Sequence, residues 1–410
     1  MLRASLLALL LLGTAPVHAD PLLGQQDVTV LVVDLTGMSD SLLMSDAQLA
    51  IDELSFVLDE NSGGRAWFNF DVIGPIHLPA SVCDPTTPGY DERQQALLEA
   101  AIAQVDPWVD FSQVHQIAML AQTDTCVVGN SGHPRRIWPF ATADGPLDSS
   151  YAIHGQFVGS RPSSWIMLHE YAHTVGAIHN EPVVCTDQQR IVVDHSPYPT
   201  HGDRCVLAPP WYTMIDPMNG GWFHFSAVHK VFWGWFDPGA LVEVTATSTH
   251  TIVATESDAP GPRFLRIPLP GSHIYRSLLV EYRSATDTIT PFPSAAPQRP
   301  GVYVYASRDI PGFALGDLLE PEPFASQTEF TTRPLSPGVP LVDPQLGIQV
   351  MLVAEPDKSG ARVFVLVPRC EKDCTVDIDE PPIDELAPPG KHPRPPHVDL
   401  GEWPKILTVK

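Results

Sequence analysis

The sequence predicts an α/β (α+β) layer in its N-terminal half, followed by a smaller all-β, sandwich-like domain. Three observations carry this. Apolar runs of strand length alternate with helical repeats from residue 28 to residue 158. After Asp237-Pro238-Gly239 only short strand-like runs recur, separated by turn residues. Many of the 43 prolines lie beyond residue 255, where they mark loops and edges rather than helices.

Val28–Leu35 is a near-continuous apolar run and reads as a buried strand. Ser45 is placed to cap a helix whose Ala47, Ile51, Leu54 and Leu58 recur at helical spacing. Gly63-Gly64 ends it, and Trp67–Ile73 alternates as a strand. Asp91–Val105 reads as a second helix through Leu98, Ile102 and Val105. Val114–Leu120 and Tyr151–Val158 read as further strands. The stretch between them, with Cys126, Gly132-His133-Pro134 and Pro139, reads as loop. Residues 180–221 are irregular and too long for an ordinary connection. Gly221–Trp235, dense in aromatics, reads as a helix under the preceding elements. The β region is expected to use Leu241–Thr245, Ile252–Thr255, Phe264–Ile267, Leu278–Tyr282, Val302–Tyr305, Ile348–Val353 and Val363–Val367.

The ends and the charge bound the setting. Residues 1–19 have the form of a secretory signal: Arg3, the short apolar run Leu6–Leu12, and Val17-His18-Ala19 for cleavage. Export to a secreted, periplasmic or extracellular location is expected, with the mature chain starting near Asp20. No segment is long and apolar enough to cross a membrane as a helix. The formal net charge is −24, which excludes nucleic acid and anionic membranes as main partners. Six cysteines in an exported chain favour disulfides, and the sequential pairing Cys83–Cys126, Cys185–Cys205, Cys370–Cys374 is preferred among fifteen. Residues 20–238 are thus expected to form one domain and 239–369 a second. Residues 370–410 are expected to form a proline-rich tail.

The chemistry is concentrated at residues 169–179, His-Glu-Tyr-Ala-His-Thr-Val-Gly-Ala-Ile-His, or HExxHxxGxxH. His169 and His173 are four apart and share one helix face, so two imidazoles can hold one zinc ion. Glu170, beside the first ligand, can reach a water held there and act as general base. Gly176 can take the left-handed conformation that stops a helix and turns the chain. That turn returns His179 as a third ligand. Three protein ligands leave a fourth position open, which is the catalytic arrangement. The five fixed letters co-occur by accident on the order of once in ten thousand such chains, so chance does not explain them. Ser163 or Ser164 can cap the helix, and Trp165, Ile166, Leu168, Ala172 and Val175 give it apolar surface to bury. The other histidines, His115, His154, His195, His201, His224 and His229, read as core or surface residues.

With this motif complete, the chain resembles the metzincin zinc peptidases. That clan carries a methionine turn beneath the metal, for which Met214 and Met218 are candidates and Met218 is chosen. Asp216-Pro217-Met218, followed by His224-Phe225-Ser226-Ala227, His229-Lys230 and Gly234-Trp235, is similar to the gametolysin-type branch. The resemblance implies one catalytic Zn2+, peptide-bond hydrolysis of a protein or peptide substrate, and Met218 as an apolar floor. It also implies an upper-rim strand for pairing substrate, assigned to Tyr151–Val158. Asn219 stands where the branch has glycine. Gly220 stands where some members carry a fifth-ligand tyrosine, so none is expected. Asn180, after the third histidine, matches no particular branch. Val28 opens the catalytic pattern almost at once, so no inhibitory pro-segment is expected. Pro368-Arg369-Cys370 is similar to a cysteine switch, but the Cys370–Cys374 disulfide is the preferred reading. Two other classes stay open: an inactive zincin that acts as a secreted binding protein, and a zinc hydrolase of a non-peptide amide.

Overall fold

A five-stranded sheet carrying the HExxH helix and two further sheets built mostly from the C-terminal half make up the chain in this computed structural model. The structure describes residues 22–83, 89–123, 130–133, 140–147, 149–155, 164–180, 182–185, 205–207, 216–219, 224–269, 275–284, 300–310, 313–319, 333–343, 346–357 and 359–368. The expected export signal, Cys126, His195, His201, Met214, Gly220, Cys370, Cys374 and the expected tail lie outside these residues.

The N-terminal region runs β1 (Gly24–Asp34), α1 (Asp40–Ser62), β2 (Ala66–His77), α2 (Tyr90–Val105) and β3 (Gln116–Gln122). It continues as β4 (Asn130–His133), a small hairpin of β5 (Phe140–Thr142) and β6 (Gly145–Leu147), and β7 (Ser150–Gly155). The sheet order is β2-β1-β3-β7-β4. The first four strands are parallel, and β4 runs antiparallel along the β7 side. The near-continuous apolar run of β1 follows from this central place. Val28, Val30 and Val32 pack towards α1 and the HExxH helix, while Leu31 and Val33 pack towards α2 on the opposite face.

Two expectations need correction here. Ser45 is not a cap, because α1 starts at Asp40 behind Ser39, and the Ser45 hydroxyl donates back to the Leu42 carbonyl at 3.0 Å. The earlier start lets Leu43 join Ala47 and Ile51 in the core and places Asp40 in the first turn, where the helix dipole favours it. The C-terminal end is as expected: Gly63, at φ 61°, caps the helix in the left-handed conformation. Second, the 151–158 strand is not an edge. Its described part, β7, lies between β3 and β4, and β4 is the outer strand on that side.

After α3 (Ser164–Thr174) come β8 (Pro182–Cys185), β9 (Cys205–Leu207) and α4 (Ala227–Trp233), the last shorter than the Gly221–Trp235 reading. The remainder is strands only among the described residues. These are β10 (Leu241–Glu243), β11 (Ser248–Ile252), β12 (Phe264–Pro268), β13 (Tyr275–Arg283) and β14 (Gly301–Ile310). Then follow β15 (Phe313–Leu319), β16 (Pro340–Val342), β17 (Gln349–Leu352) and β18 (Ala361–Leu366). One sheet has the order β10-β12-β13-β14-β15-β8-β9 and the other β11-β18-β17-β16. Inward residues of both, such as Leu278, Val280, Val302, Val350 and Val363, share one core.

The expected strand at Ile252–Thr255 is displaced to Ser248–Ile252, whose polar alternation carries little hydrophobic signal. The strand β15 was not anticipated, because Gly316-Asp317 interrupts its apolar run. Gly316 is needed there: an added Cβ would lie 2.5 Å from Val228 Cγ2 on α4. Through β8 and β9, the segment that follows the third histidine is part of the same sheet as the C-terminal strands.

Candidate metal centre

The helix α3 lies under the β4–β7 end of the first sheet and against α1. Its apolar face, Met167, Leu168, Tyr171 and Ala172, is buried. The opposite requirement, a turn after Thr174, is met by Gly176 at φ 91°. The Gly176 N–H donates to the His173 carbonyl at 3.2 Å, and the Ala177 N–H donates to the Ala172 carbonyl at 2.9 Å. This pair of bonds is the Schellman closure that a glycine at this position permits. Trp233 on α4 adds a further tie, its indole N–H donating to the Val175 carbonyl at 3.1 Å.

The turn brings three imidazoles together. The Nε2 atoms of His169, His173 and His179 lie 3.0–3.1 Å from one another. Two of the rings have their protons committed elsewhere. His169 Nδ1 donates to the Pro217 carbonyl at 2.7 Å, and His173 Nδ1 donates to the Ala177 carbonyl at 2.8 Å. A carbonyl oxygen only accepts, so in these two rings the proton sits on Nδ1 and the Nε2 atom presents a bare lone pair to the point where the three meet. Converging lone pairs repel unless a cation sits among them. A tetrahedral ion at ~2.0–2.1 Å from each nitrogen needs edges of about 3.3–3.4 Å, so the triangle fits zinc after opening by roughly 0.3 Å. Burial pushes all three rings below the usual imidazole range, His173 well below and His179 to about 4. The neighbouring rings add to the depression at His173 and His179. They are therefore neutral and available as ligands at ordinary pH. No other group of three or more metal-ligating side chains converges among the described residues.

Glu170 is buried, 8% exposed, and faces β4 and β7. Burial pushes its carboxyl up to about 8, against a hydrogen bond donated by the Gly132 N–H. The charge of an ion on the three histidines acts in the opposite direction. Gly132 is a second requirement of the site. A Cβ there would lie 1.8 Å from the Glu170 backbone oxygen and 2.8 Å from His173 Cβ. Only glycine lets the β4 edge come this close to α3. The sequence placed Gly132 in a loop, and nothing in its local pattern marks it.

Met218 lies in a single turn of 3-10 helix, Pro217–Asn219, and is 1% exposed beneath α3. It packs in the cluster of Leu168, Ala172 and Ala177, as an apolar floor requires. Asn219 has a positive role. Its side-chain amide donates to the Asn180 carbonyl at 2.6 Å, tying the methionine turn to the residue after the third histidine. Asn180 itself donates to Asp216 Oδ2 and to Ser226 Oγ, both at 2.8 Å. His229 Nε2 donates to the Ile178 carbonyl at 3.1 Å, and its ring stacks on Trp233. Burial opposes ionisation of Asp216, but its hydrogen bond with His229 and the charges of His229 and Arg283 hold its carboxyl below the usual range. Of the remaining histidines, His154, His224 and His229 are buried and His115 is exposed. His229 supports the turn that carries His179, a role that reading it as a core or surface residue missed.

Cys185 and Cys205 stand directly opposite each other in the β8–β9 pair. Antiparallel partners lie ~4.5–5.5 Å apart at Cα, within the reach of a disulfide. Cys83 is disulfide-bonded, and no described cysteine is free. No helix among the described residues is long and apolar enough to cross a membrane. Neither a protein-family model nor a curated protein sequence matches the chain.

Proposed function

We propose that the chain is a zinc-dependent endopeptidase with a metzincin-like catalytic domain and a sandwich-like β domain, exported from the cell. The observation that carries this reading is the convergence of three imidazole Nε2 atoms on one point, two of the rings fixed by Nδ1 donation to backbone carbonyls, with a buried carboxyl on the residue after His169. A bound zinc supplies an acidified water and a Lewis acid for the scissile carbonyl. Glu170 takes the proton of the attacking water and returns it to the leaving amine. Its burial removes competing solvent, and the Gly132 N–H fixes the carboxylate towards one face of α3. His169, His173 and His179 would hold the ion as neutral ligands, His169 and His173 oriented by the carbonyls of Pro217 and Ala177.

The outer strand β4 supports an extended peptide substrate. Among the described residues no strand pairs with its edge away from β7, so an extended peptide would add there by main-chain pairing beside α3. Digestion of a proteome-derived peptide library, with and without chelator, tests the reading. Cleavage of internal peptide bonds that a chelator abolishes and zinc restores is expected. Zinc binding with no peptide turnover would leave a binding protein or a hydrolase of non-peptide amides.

A further inference from the structure

We propose that β15 is a working part of the metal centre and that Ala314 is the positioning residue that fixes the approach to His179. Ala314 is 2% exposed and 135 positions beyond the ligand it serves (314 − 179). Its N–H donates to the Gly176 carbonyl at 2.8 Å, and its carbonyl accepts the Ile178 N–H at 3.0 Å. Ala177 and Ala314 form a parallel β-bridge.

Every peptide unit between Gly176 and His179 is thereby held. The unit joining Gly176 to Ala177 is bonded to Ala314 on its carbonyl and to Ala172 on its N–H. The unit joining Ala177 to Ile178 is bonded to His173 Nδ1 on its carbonyl and to Ala314 on its N–H. The unit joining Ile178 to His179 is bonded on its carbonyl to His229 Nε2 of α4. The strand and α4 act together because they are packed together: Val228, Ala227, Ala314 and Leu318 share one cluster, and Gly316 leaves the room that Val228 fills. A glycine-hinged turn has no rigidity of its own, so the placement of the third ligand is set by β15 and α4.

The geometry also makes Ala314 separable from its own strand pair. Both its backbone groups point to the 176–178 segment, so its cross-strand partner Asp309 is of the non-hydrogen-bonded type. Ala314→Pro therefore deletes the bond to Gly176 and leaves the β14–β15 ladder bonds in place.

The inference rests on the three histidines being zinc ligands, and the test keeps the two apart. Zinc affinity of the full chain is measured by competition with a chromophoric chelator, with far-UV circular dichroism as the fold control. For Ala314→Pro a loss of zinc affinity of about tenfold or more is expected with an unchanged spectrum. Affinity within twofold of wild type overturns the role of Ala314 alone. Wild-type protein that binds no zinc overturns the zinc reading beneath it. If the variant does not fold, hydrogen exchange on the wild-type chain decides. Zinc addition slows exchange of the Ile178 and Ala314 amides if the strand belongs to the centre, and unchanged exchange in 313–319 overturns the proposal.

Discussion

His169 and His179 are ten residues apart in sequence, yet their Nε2 atoms lie 3.0 Å apart. A continued helix would carry them to different turns and faces, so this approach is the work of the left-handed Gly176. Gly176→Val is expected to keep the α3 helix but lose zinc, because a β-branched residue at φ 91° is strained. Metal content after dialysis checks it, and full zinc occupancy in the variant would contradict it.

Metal removal has a stability signature. Zinc that binds only the folded chain adds about 4 kcal/mol at a thousandfold excess over its Kd. Chelation should lower the melting temperature of the wild type and leave that of His173→Ala unmoved. Equal melting curves with and without chelator would argue against a bound ion.

Gly132 predicts a steric outcome. In Gly132→Ala the new Cβ meets the Glu170 peptide at 1.8 Å, so β4 or α3 must shift. A loss of roughly 2–4 kcal/mol in denaturant unfolding is expected, with a fall in kcat/KM. An alanine variant of unchanged stability and activity would show that the edge strand does not lie on the helix.

The acid limb of stability should depend on His154. Burial alone pushes this ring to about 4, and neither ring nitrogen has a hydrogen-bond partner among the described residues. Its folded pKa lies below the unfolded value near 6.5, so its stabilisation is complete above pH 6.5 and is lost as pH falls towards 4. Up to about 3 kcal/mol is at stake in that window. His154→Leu should flatten unfolding free energy against pH between 6.5 and 4. An unaltered slope would mean that the ring is solvated.

Much of this was legible because local pattern and tertiary role coincide. The run Val28–Val33 is apolar but for Thr29 because β1 is buried on both faces, and the HExxHxxGxxH spacing alone places two imidazoles on one helix face, Glu170 beside them and a turn after them. The parts that were not legible depend on distant contacts. Gly132 matters only because the α3 backbone lies against it. Ala314 acts through its backbone, so its side chain carries no signal. Asn219 seemed a defect where glycine was expected, but its amide reaches the Asn180 carbonyl. The Ser248–Ile252 strand is nearly polar and is defined by its pairing with β18.

The β8–β9 register makes a covalent prediction. Cys185 opposes Cys205, so a non-reducing digest should yield a peptide joining them, and reducing it should cost roughly 3 kcal/mol. Recovery of Cys185 joined to Cys83 instead would contradict the register.

The central claim is that Glu170 acts on a water at a zinc held by His169, His173 and His179. Its most direct test is the zinc-loaded Glu170→Gln variant, assayed on an unfolded protein substrate beside the wild type. The account predicts one zinc per chain in both proteins and a fall in kcat/KM of at least about a hundredfold in the variant. Wild-type proteolysis by the zinc-loaded variant would contradict it.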